Sequence, residues 1–529
     1  MRRVRHLRAP IRISASLLAL ALALALAACT VGPDYSREAA PVAPEFKELK
    51  GFKFATPSDQ FDRGDWWSPY RDRGLDELLR QVEISNQTVA AQAAAYEEAR
   101  AVIREAQAQL LPTATAGYTV TRTRTGGLAG SGSSRLNSVA GATYTTTYSA
   151  PISGTWDLDV WGRVRRLIES DTAAAQASEA DLANAKLSAQ AQLATAYFEL
   201  RTSDSLIDLL TRTVALDKRT LGIVQNQFNA GYSVTSGDVA TATAQMLSAQ
   251  GQLIAAHVTR AQFEHAIAML TGRPPAELTI APRLLPGGIP RIPVAVPSAL
   301  LERRPDIAAA ERTMEQQNAL IGVAVAAYFP TISLSATAQF IGPIPLPFDA
   351  ARAIESIAAS ASQTLFNGGL TAAQVDAARA VYWQSVATYR QTVLTALQQV
   401  EDELAAVHYY SQQVGIEQRA VKEERQAVDV YLNQFQQGLV AFTTVVTAEL
   451  TLLSDQQAEL TARQNLFLAS VSLIEALGGG WDTMLLPTQS QLQAGFSLFQ
   501  QIEDTSPPVG PPPPDASPDS PANAPQQTQ

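Results

Sequence analysis

The sequence predicts a mixed membrane α+β chain: four β-strands contribute to a transmembrane β-barrel, a long α-helical coiled-coil barrel continues it, and internal duplication builds the whole. Three observations predict this. From Thr143 to Leu158 the side chains alternate, with Thr143, Thr145, Thr147, Ser149, Ser153, Thr155 and Asp157 on one face and Tyr144, Tyr148, Ala150, Ile152, Trp156 and Leu158 on the other. Period two over that length describes a strand able to cross a bilayer at a tilt. After Trp161-Gly162-Arg163 the period becomes seven, and Leu193, Leu200, Ile207, Val214, Leu221 and Phe228 form one coiled-coil seam. That seam returns 207 residues later as Val400, Val407, Val414, Val421, Val428 and Phe435, and Asn226-Gln227-Phe228 with Gly231 returns as Asn433-Gln434-Phe435 with Gly438. One frame is used twice.

Taken in order, residues 1–28 read as an export signal: Arg2, Arg3, Arg5, Arg8 and Arg12 precede the apolar run Leu17 to Ala27. The run ends in Leu26-Ala27-Ala28-Cys29, and Cys29 is the only cysteine, so no internal disulfide can form. The pattern resembles a bacterial lipobox; the alternatives are an ordinary signal with an incidental cysteine, or a membrane anchor for which the run is short. Residues 29–64 carry Pro33, Pro41, Pro44 and Pro57 and read as an irregular tether. A first repeat spans 65–272. Asp65-Trp66-Trp67 and Leu75-Asp76-Glu77-Leu78-Leu79 open a helix running to Leu111, where Pro112 stops it. A first strand alternates from Thr113 to Val120, the Gly/Ser-rich stretch Gly126 to Ser134 leads to the second, and the seam helix follows to the turn at Gly231. Val239 to Leu270 runs back to Arg273-Pro274-Pro275.

Residues 273–297 are a Pro-rich linker, and the second repeat spans 298–480. Its first helix begins at Glu302-Arg303-Arg304-Pro305-Asp306 and ends at Tyr328-Phe329-Pro330. Thr331 to Phe340 is a clear strand, Gly342 to Pro347 its turn, and about Ile354 to Phe366 a poorly alternating fourth strand. Gly368-Gly369 opens the next long helix, and Gly478-Gly479-Gly480 ends the last one. Residues 481–529 form a tail whose Pro, Asp, Ser and Gln content predicts disorder from about 505.

Beyond residue 29 no apolar run is long enough for a transmembrane helix, so a closed barrel is the remaining way across a bilayer. Four strands are fewer than any such barrel, for which eight is the small end. The chain must therefore oligomerise. Three copies give twelve strands, enough to leave a lumen lined by the Thr/Ser face while the apolar face meets lipid. A helix from Arg163 to Gly231 would be about 100 Å long, a tube on one side of the membrane. The formal charge of −10 argues against a nucleic-acid partner. No enzyme signature stands out. His257 and His265 are too far apart for an i, i+4 metal pair, His6 lies in the signal, His408 stands alone, and Glu401-Asp402-Glu403 reads as a solvated helix face.

The ordered set Leu-Ala-Ala-Cys29, Trp66-Trp67, Asp157-Leu158-Asp159-Val160-Trp161-Gly162-Arg163, Arg303-Arg304-Pro305-Asp306-Ile307, Ala327-Tyr328-Phe329-Pro330, Leu365-Phe366-Asn367-Gly368-Gly369 and Ala476-Leu477-Gly478-Gly479-Gly480-Trp481 resembles the TolC-like outer membrane factors, in their lipoprotein (NodT-type) multidrug-efflux branch. The resemblance implies a homotrimeric channel-tunnel, with a barrel in the outer membrane and most of the helical mass in the periplasm. It also implies an outer membrane lipoprotein carrying palmitate on Cys29 and needing no other cofactor. Its partners would be a periplasmic adaptor (a membrane fusion protein) and an inner-membrane transporter of the resistance–nodulation–division type, and the cargo would be small molecules such as drugs. A type I protein-secretion channel is the alternative within the family, and a lipid-anchored periplasmic coiled-coil scaffold or adaptor the alternative outside it. By the same resemblance Gly231, Tyr232, Gly438 and Leu439 are the adaptor-docking tips, and Asp238, Thr444 and Thr447 line the periplasmic aperture. The family's acidic residues past the second tip are replaced here by Thr443, Thr444 and Thr447, leaving Asp238 as the nearby acid.

Overall fold

The computed structural model describes residues 30–49, 65–125, 143–232, 234–290, 292, 300–345 and 353–494. The expected export signal with Cys29, the Gly/Ser-rich link and the C-terminal tail from 495 lie outside the described residues. The first repeat runs α1 (Arg73–Ser85), α2 (Gln87–Ala108), β1 (Thr113–Ala116), β2 (Thr119–Thr125), β3 (Thr143–Leu158), α3 (Arg163–Asn229) and α4 (Ser236–Leu270). The second runs α5 (Leu300–Arg303), α6 (Pro305–Ala326), β4 (Thr331–Gly342), β5 (Ala353–Ser362), α7 (Leu370–Gln436) and α8 (Phe442–Ala476), and a short α9 (Gln489–Gln493) follows. The duplication is exact in length for the long helices: α3 and α7 have 67 residues each, α4 and α8 have 35.

All strand pairings are antiparallel, in the order β1 and β2 on β3, then β4, then β5. The expected first strand is interrupted at Gly117-Tyr118 and extends beyond Val120 to Thr125. Its register stays continuous, because Thr113 lies opposite Thr155, Thr119 opposite Ser149, and Gly117 N donates to Pro151 O between them. Five segments therefore make four passes. On the polar face the hydroxyls bond across strands, Thr113 to Thr155 and Thr115 to Ser153 at 2.8 Å and Ser333 to Ser360 at 2.7 Å. These pairs satisfy one another without a carboxylate. The weakly alternating last strand ends at Ser362, short of the Phe366 expected from sequence.

The first repeat hands β3 to α3 through a built junction. Asp159 accepts from Val164 N and Arg165 N, both at 3.0 Å, and so caps α3, while Gly162 takes the left-handed φ of 77° that turns the chain. Trp161 stacks on Phe329 at 4.7 Å and donates its Nε1–H to Pro330 O, tying the α6–β4 junction of the second repeat to the β3–α3 junction of the first. In the second repeat, Arg304 donates to both carboxylate oxygens of Asp306, to Gln399 Oε1 and to Ala476 O, which joins α6, α7 and the end of α8.

Three local expectations need correction. The opening helix is two helices. Asn86 accepts from Thr88 N and Val89 N and donates Nδ2–H to Leu270 O, so it starts α2 while being held by α4. Trp66 and Trp67 lie ahead of the helix, buried edge to face at 5.7 Å, with Trp66 Nε1 donating to Gln190. The tether is irregular but not loose. Val31 N donates to Trp161 O, Arg166 binds Asp34, and Tyr35 donates to Glu311. Glu401, read from sequence as solvated, accepts from Lys47 N at 2.7 Å and Glu48 N at 3.0 Å. A partner more than 350 positions away leaves no local signature.

Gly478, at the end of α8, and the turn glycine Gly438 differ in what surrounds them. Gly478 has φ +94° and a Cβ there would overlap the Arg303 carbonyl, whereas Gly438 has φ +75° and open space. Gly438→Ala should then cost about 1 kcal/mol from backbone conformation alone. Gly478→Ala must also push the Arg303 backbone aside, so its melting temperature should fall well below that of Gly438→Ala. Equal melting temperatures for the two variants would contradict the packing role of Gly478.

The tunnel tips and a buried carboxylate pair

At the far end of the long helices the two turns are built alike. Gly231 N donates to Phe228 O and Tyr232 N to Gln227 O, both at 3.1 Å; Gly438 N donates to Phe435 O and Leu439 N to Gln434 O, both at 2.9 Å. This is a glycine-terminated helix end whose positive φ (76° and 75°) closes the last carbonyls. The residue after each glycine is apolar and open to solvent, Tyr232 at 70% and Leu439 at 69% exposure. The structure brings both turns to one end, because Val224 of α3 and Ala242 of α4 share an apolar cluster with Phe435, Phe442 and Val445.

Of the aperture residues named from sequence, Asp238 is engaged in capping. Its Oδ2 accepts from Thr235 N at 2.7 Å and Thr235 Oγ1 at 2.8 Å, and its own N–H donates to Thr235 Oγ1, a reciprocal box that starts α4. Thr447 is exposed with its hydroxyl bonded to Thr443 O, and Thr444 is half-buried. The α8 start at Ala441 has no side-chain cap.

The seam expected from sequence holds fully in α7 and only in part in α3. Val400 to Phe435 is inside throughout, apart from a half-buried Val414, but Phe228 is 43% exposed against 5% for Phe435. The lower half of α3 buries a different heptad line, Leu210, Asp217 and Val224. On α8 the facing line is Phe442, Val445, Glu449 and Leu452. Two core positions of this coiled coil are thus carboxylic acids, a reading the sequence did not yield because an acid in a heptad counts as the polar face.

Asp217 and Glu449 are 3% and 5% exposed. Gln245 of α4 bridges them, its Nε2 at 3.3 Å from Asp217 Oδ1 and from Glu449 Oε2, and Thr220 donates to Glu449 Oε1 at 3.0 Å. They line a cavity of about 60 Å³ with Thr213, Ser248 and Gln456, and the second Asp217 oxygen has no partner among the described residues. Burial pushes Asp217 up to about 6 and Glu449 up to about 7, the Asp217 charge adding to the latter while the bonds from Thr220 and Gln245 oppose it. Lys218 and Arg219 of α3, and Lys422 and Arg425 of α7, are exposed, and α4 carries no charged residue between Asp238 and His257. The layer is a polar interruption in an apolar seam, the device that fixes register at a cost in stability. Among the described residues no three metal-ligating side chains gather, and His257 and His265 are exposed.

The family model for outer membrane efflux proteins matches residues 78–273 and 296–479. The solvent efflux pump outer membrane protein SrpC of Pseudomonas putida is 29% identical over 462 residues, covering 86% of this chain and 96% of that protein. The pyoverdine export outer membrane protein OpmQ of Pseudomonas aeruginosa is 29% identical over 434 residues, covering 80% and 89%. Among solved structures, the outer-membrane channel OprN superposes with a TM-score of 0.77 at 27% identity, covering 86% of this chain and 100% of that one.

The carboxylate layer makes helix packing depend on pH, with a definite sign. Both acids have folded pKa values above their ordinary ones, so their neutral forms favour the packed state. That contribution is full below about pH 4 and is lost as pH rises through about 6 to 7. The melting temperature should fall by a few degrees between pH 5 and pH 8, and the Asp217→Asn, Glu449→Gln double variant should flatten that fall. A variant whose pH dependence matches the parent would show that the layer does not titrate in this range.

Proposed function

Because the chain belongs to the outer membrane efflux protein family, whose model matches it across both repeats, we propose that it is the outer membrane channel-tunnel of a tripartite pump expelling small molecules. The observation that carries this is one duplicated unit: a pair of strand passes with a hydroxyl-lined face, joined end to end with antiparallel helices of 67 and 35 residues. Three copies close the sheet and give a lumen lined by Thr and Ser, and the helices extend it through the periplasm. The names of SrpC and OpmQ, solvent efflux and pyoverdine export, favour small molecules over protein cargo.

A periplasmic adaptor docks on the tips, using the exposed Tyr232 and Leu439 beside Gly231 and Gly438. An inner-membrane transporter of the resistance–nodulation–division type delivers cargo there. The aperture is bounded by the Thr443 to Thr447 stretch, and Asp238, committed to capping, supplies its charge from a fixed position. Cys29 carries the acyl chains. Thr30, the first described residue, packs against Gly162 at the strand–helix junction. The repeats as matched, 78–273 and 296–479, fit the proposed division at the 273–297 linker.

Deleting the gene should raise accumulation of the pump's substrates, and restoring the parent chain should reverse it. Gly438→Glu should leave the trimer intact and still fail to restore efflux, since the turn has room for the side chain but the docking surface gains a charge. Efflux restored by Gly438→Glu to the parent level would remove the tip from the docking site. Cys29→Ser should lose incorporation of a labelled fatty acid while the barrel keeps part of the protein in the membrane; retained label would refute lipidation at Cys29.

A further inference from the structure

The four-pass sheet has two open edges, β1–β2 on one side and β5 on the other. Opposed residues in antiparallel strands point to the same side of a sheet, so faces can be traced across it. Arg122 lies opposite Thr146, Arg124 opposite Tyr144 and Val120 opposite Tyr148, which places both arginines on the Tyr144, Ile152 and Trp156 face. Ile152 lies opposite Ala338, and Ala338 opposite Glu355. Glu355 is therefore on that same apolar face, on the other edge. Arg122 and Arg124 sit 5.1 Å and 5.9 Å over the Tyr144 ring. All three charged side chains are exposed, and among the described residues none has an ion-pair partner. Charge on the lipid-facing side of a barrel is unfavourable unless something answers it.

We infer that the two edges are charge-matched: when the barrel closes, Glu355 of one copy pairs with Arg122 and Arg124 of the next, on the lipid-facing side. The strand directions agree, since β1–β2 runs away from the helices and β5 runs back toward them. The register agrees too. Setting Glu355 opposite Arg122 puts Ser362 opposite Thr115 and Ala353 opposite Arg124, so β5 lies wholly within the span of β1–β2, with Ala359 and Ser360 opposite the Gly117-Tyr118 interruption. That is a stagger of two residues at the helix-side end. Within the chain, Thr113 opposite Thr155 is offset three residues from the end of β3, and Thr331 opposite Ser362 is offset by none. A slip of one residue would send Glu355 to the Thr121 or Thr123 position, on the lumen face. The charge pair thus selects the correct register between copies, where no turn fixes it.

This inference rests on the trimeric reading and is tested in the full chain in membranes. Arg122→Cys with Glu355→Cys, on oxidation, should give covalent dimers and trimers on denaturing gels, because opposed residues in antiparallel strands lie within disulfide reach. Thr121→Cys with Glu355→Cys should give none. Glu355→Arg alone should lower the temperature at which the detergent-resistant trimer dissociates, and adding Arg122→Glu and Arg124→Glu should restore it. A trimer that forms but neither cross-links at 122 with 355 nor responds to the charge swap overturns the edge pairing and leaves the trimer standing. Absence of any trimer for the parent chain overturns both.

Discussion

The hydrogen-bonding demand of two strand edges governs this molecule. Among the described residues of one chain, β1–β2 and β5 each pair on one side only, leaving a row of N–H and C=O groups with no strand partner. In water such an edge is tolerable; in lipid each unsatisfied group costs several kcal/mol, because nothing in the hydrocarbon can replace the bond. The sheet alone therefore cannot exist as a membrane structure, and folding of the barrel is inseparable from its assembly. The low burial along β2 and β5 in the single chain is the visible consequence.

The same demand explains where the chain is rigid. A barrel closed between copies sets the positions of three sets of helices, so each strand must meet its helix at a fixed angle. The β3–α3 junction and the helix ends beside it are crowded with hydrogen bonds and packed glycines: Asp159 capping α3, Gly162 against Thr30, Trp161 on Phe329, Arg304 clamping Asp306 to Ala476, and Gly478 under the Arg303 carbonyl, whereas Gly368 and Gly369 between β5 and α7 have open space. Far from the membrane the constraint relaxes. Gly231 and Gly438 have open space around them, and the seam is broken by the Asp217–Gln245–Glu449 layer.

Much of this was legible in the sequence because environment imposes period. Lipid on one face and lumen on the other enforce alternation, so β3 and β4 could be read directly, and duplication exposed the α7 seam, although transferring it to α3 missed the Leu210, Asp217 and Val224 line that the lower half buries. What stayed hidden depends on partners distant in the chain. Asn86 is recognisable as a cap, but the Leu270 carbonyl that fixes it is 184 positions away. Asp217 occupies a heptad core position between Leu210 and Val224, where an acid reads as surface until Gln245 and Glu449 are seen to enclose it. The Thr235–Asp238 box was local and could have been found by its spacing, had Asp238 been weighed as a cap as well as a lumen charge.

The two repeats are alike in length but not in how their tips are secured. The start of α4 is held by its own reciprocal cap, a local interaction of about 1 kcal/mol that survives whatever its neighbours do. The start of α8 has no such cap; Phe442, 3% exposed, is instead held by Phe435 at 5.4 Å and by the cluster that includes Val224 and Ala242 of the other hairpin. A displacement that parts the hairpins therefore uncovers Phe442 and leaves the Thr235–Asp238 box unchanged. Both tips have their own turn hydrogen bonds, but the first adds a helix cap where the second relies on the Phe435–Phe442 contact and on packing against the first. Duplication has thus produced two hairpins of equal length whose second helices start differently, one on a side-chain cap and one on apolar packing.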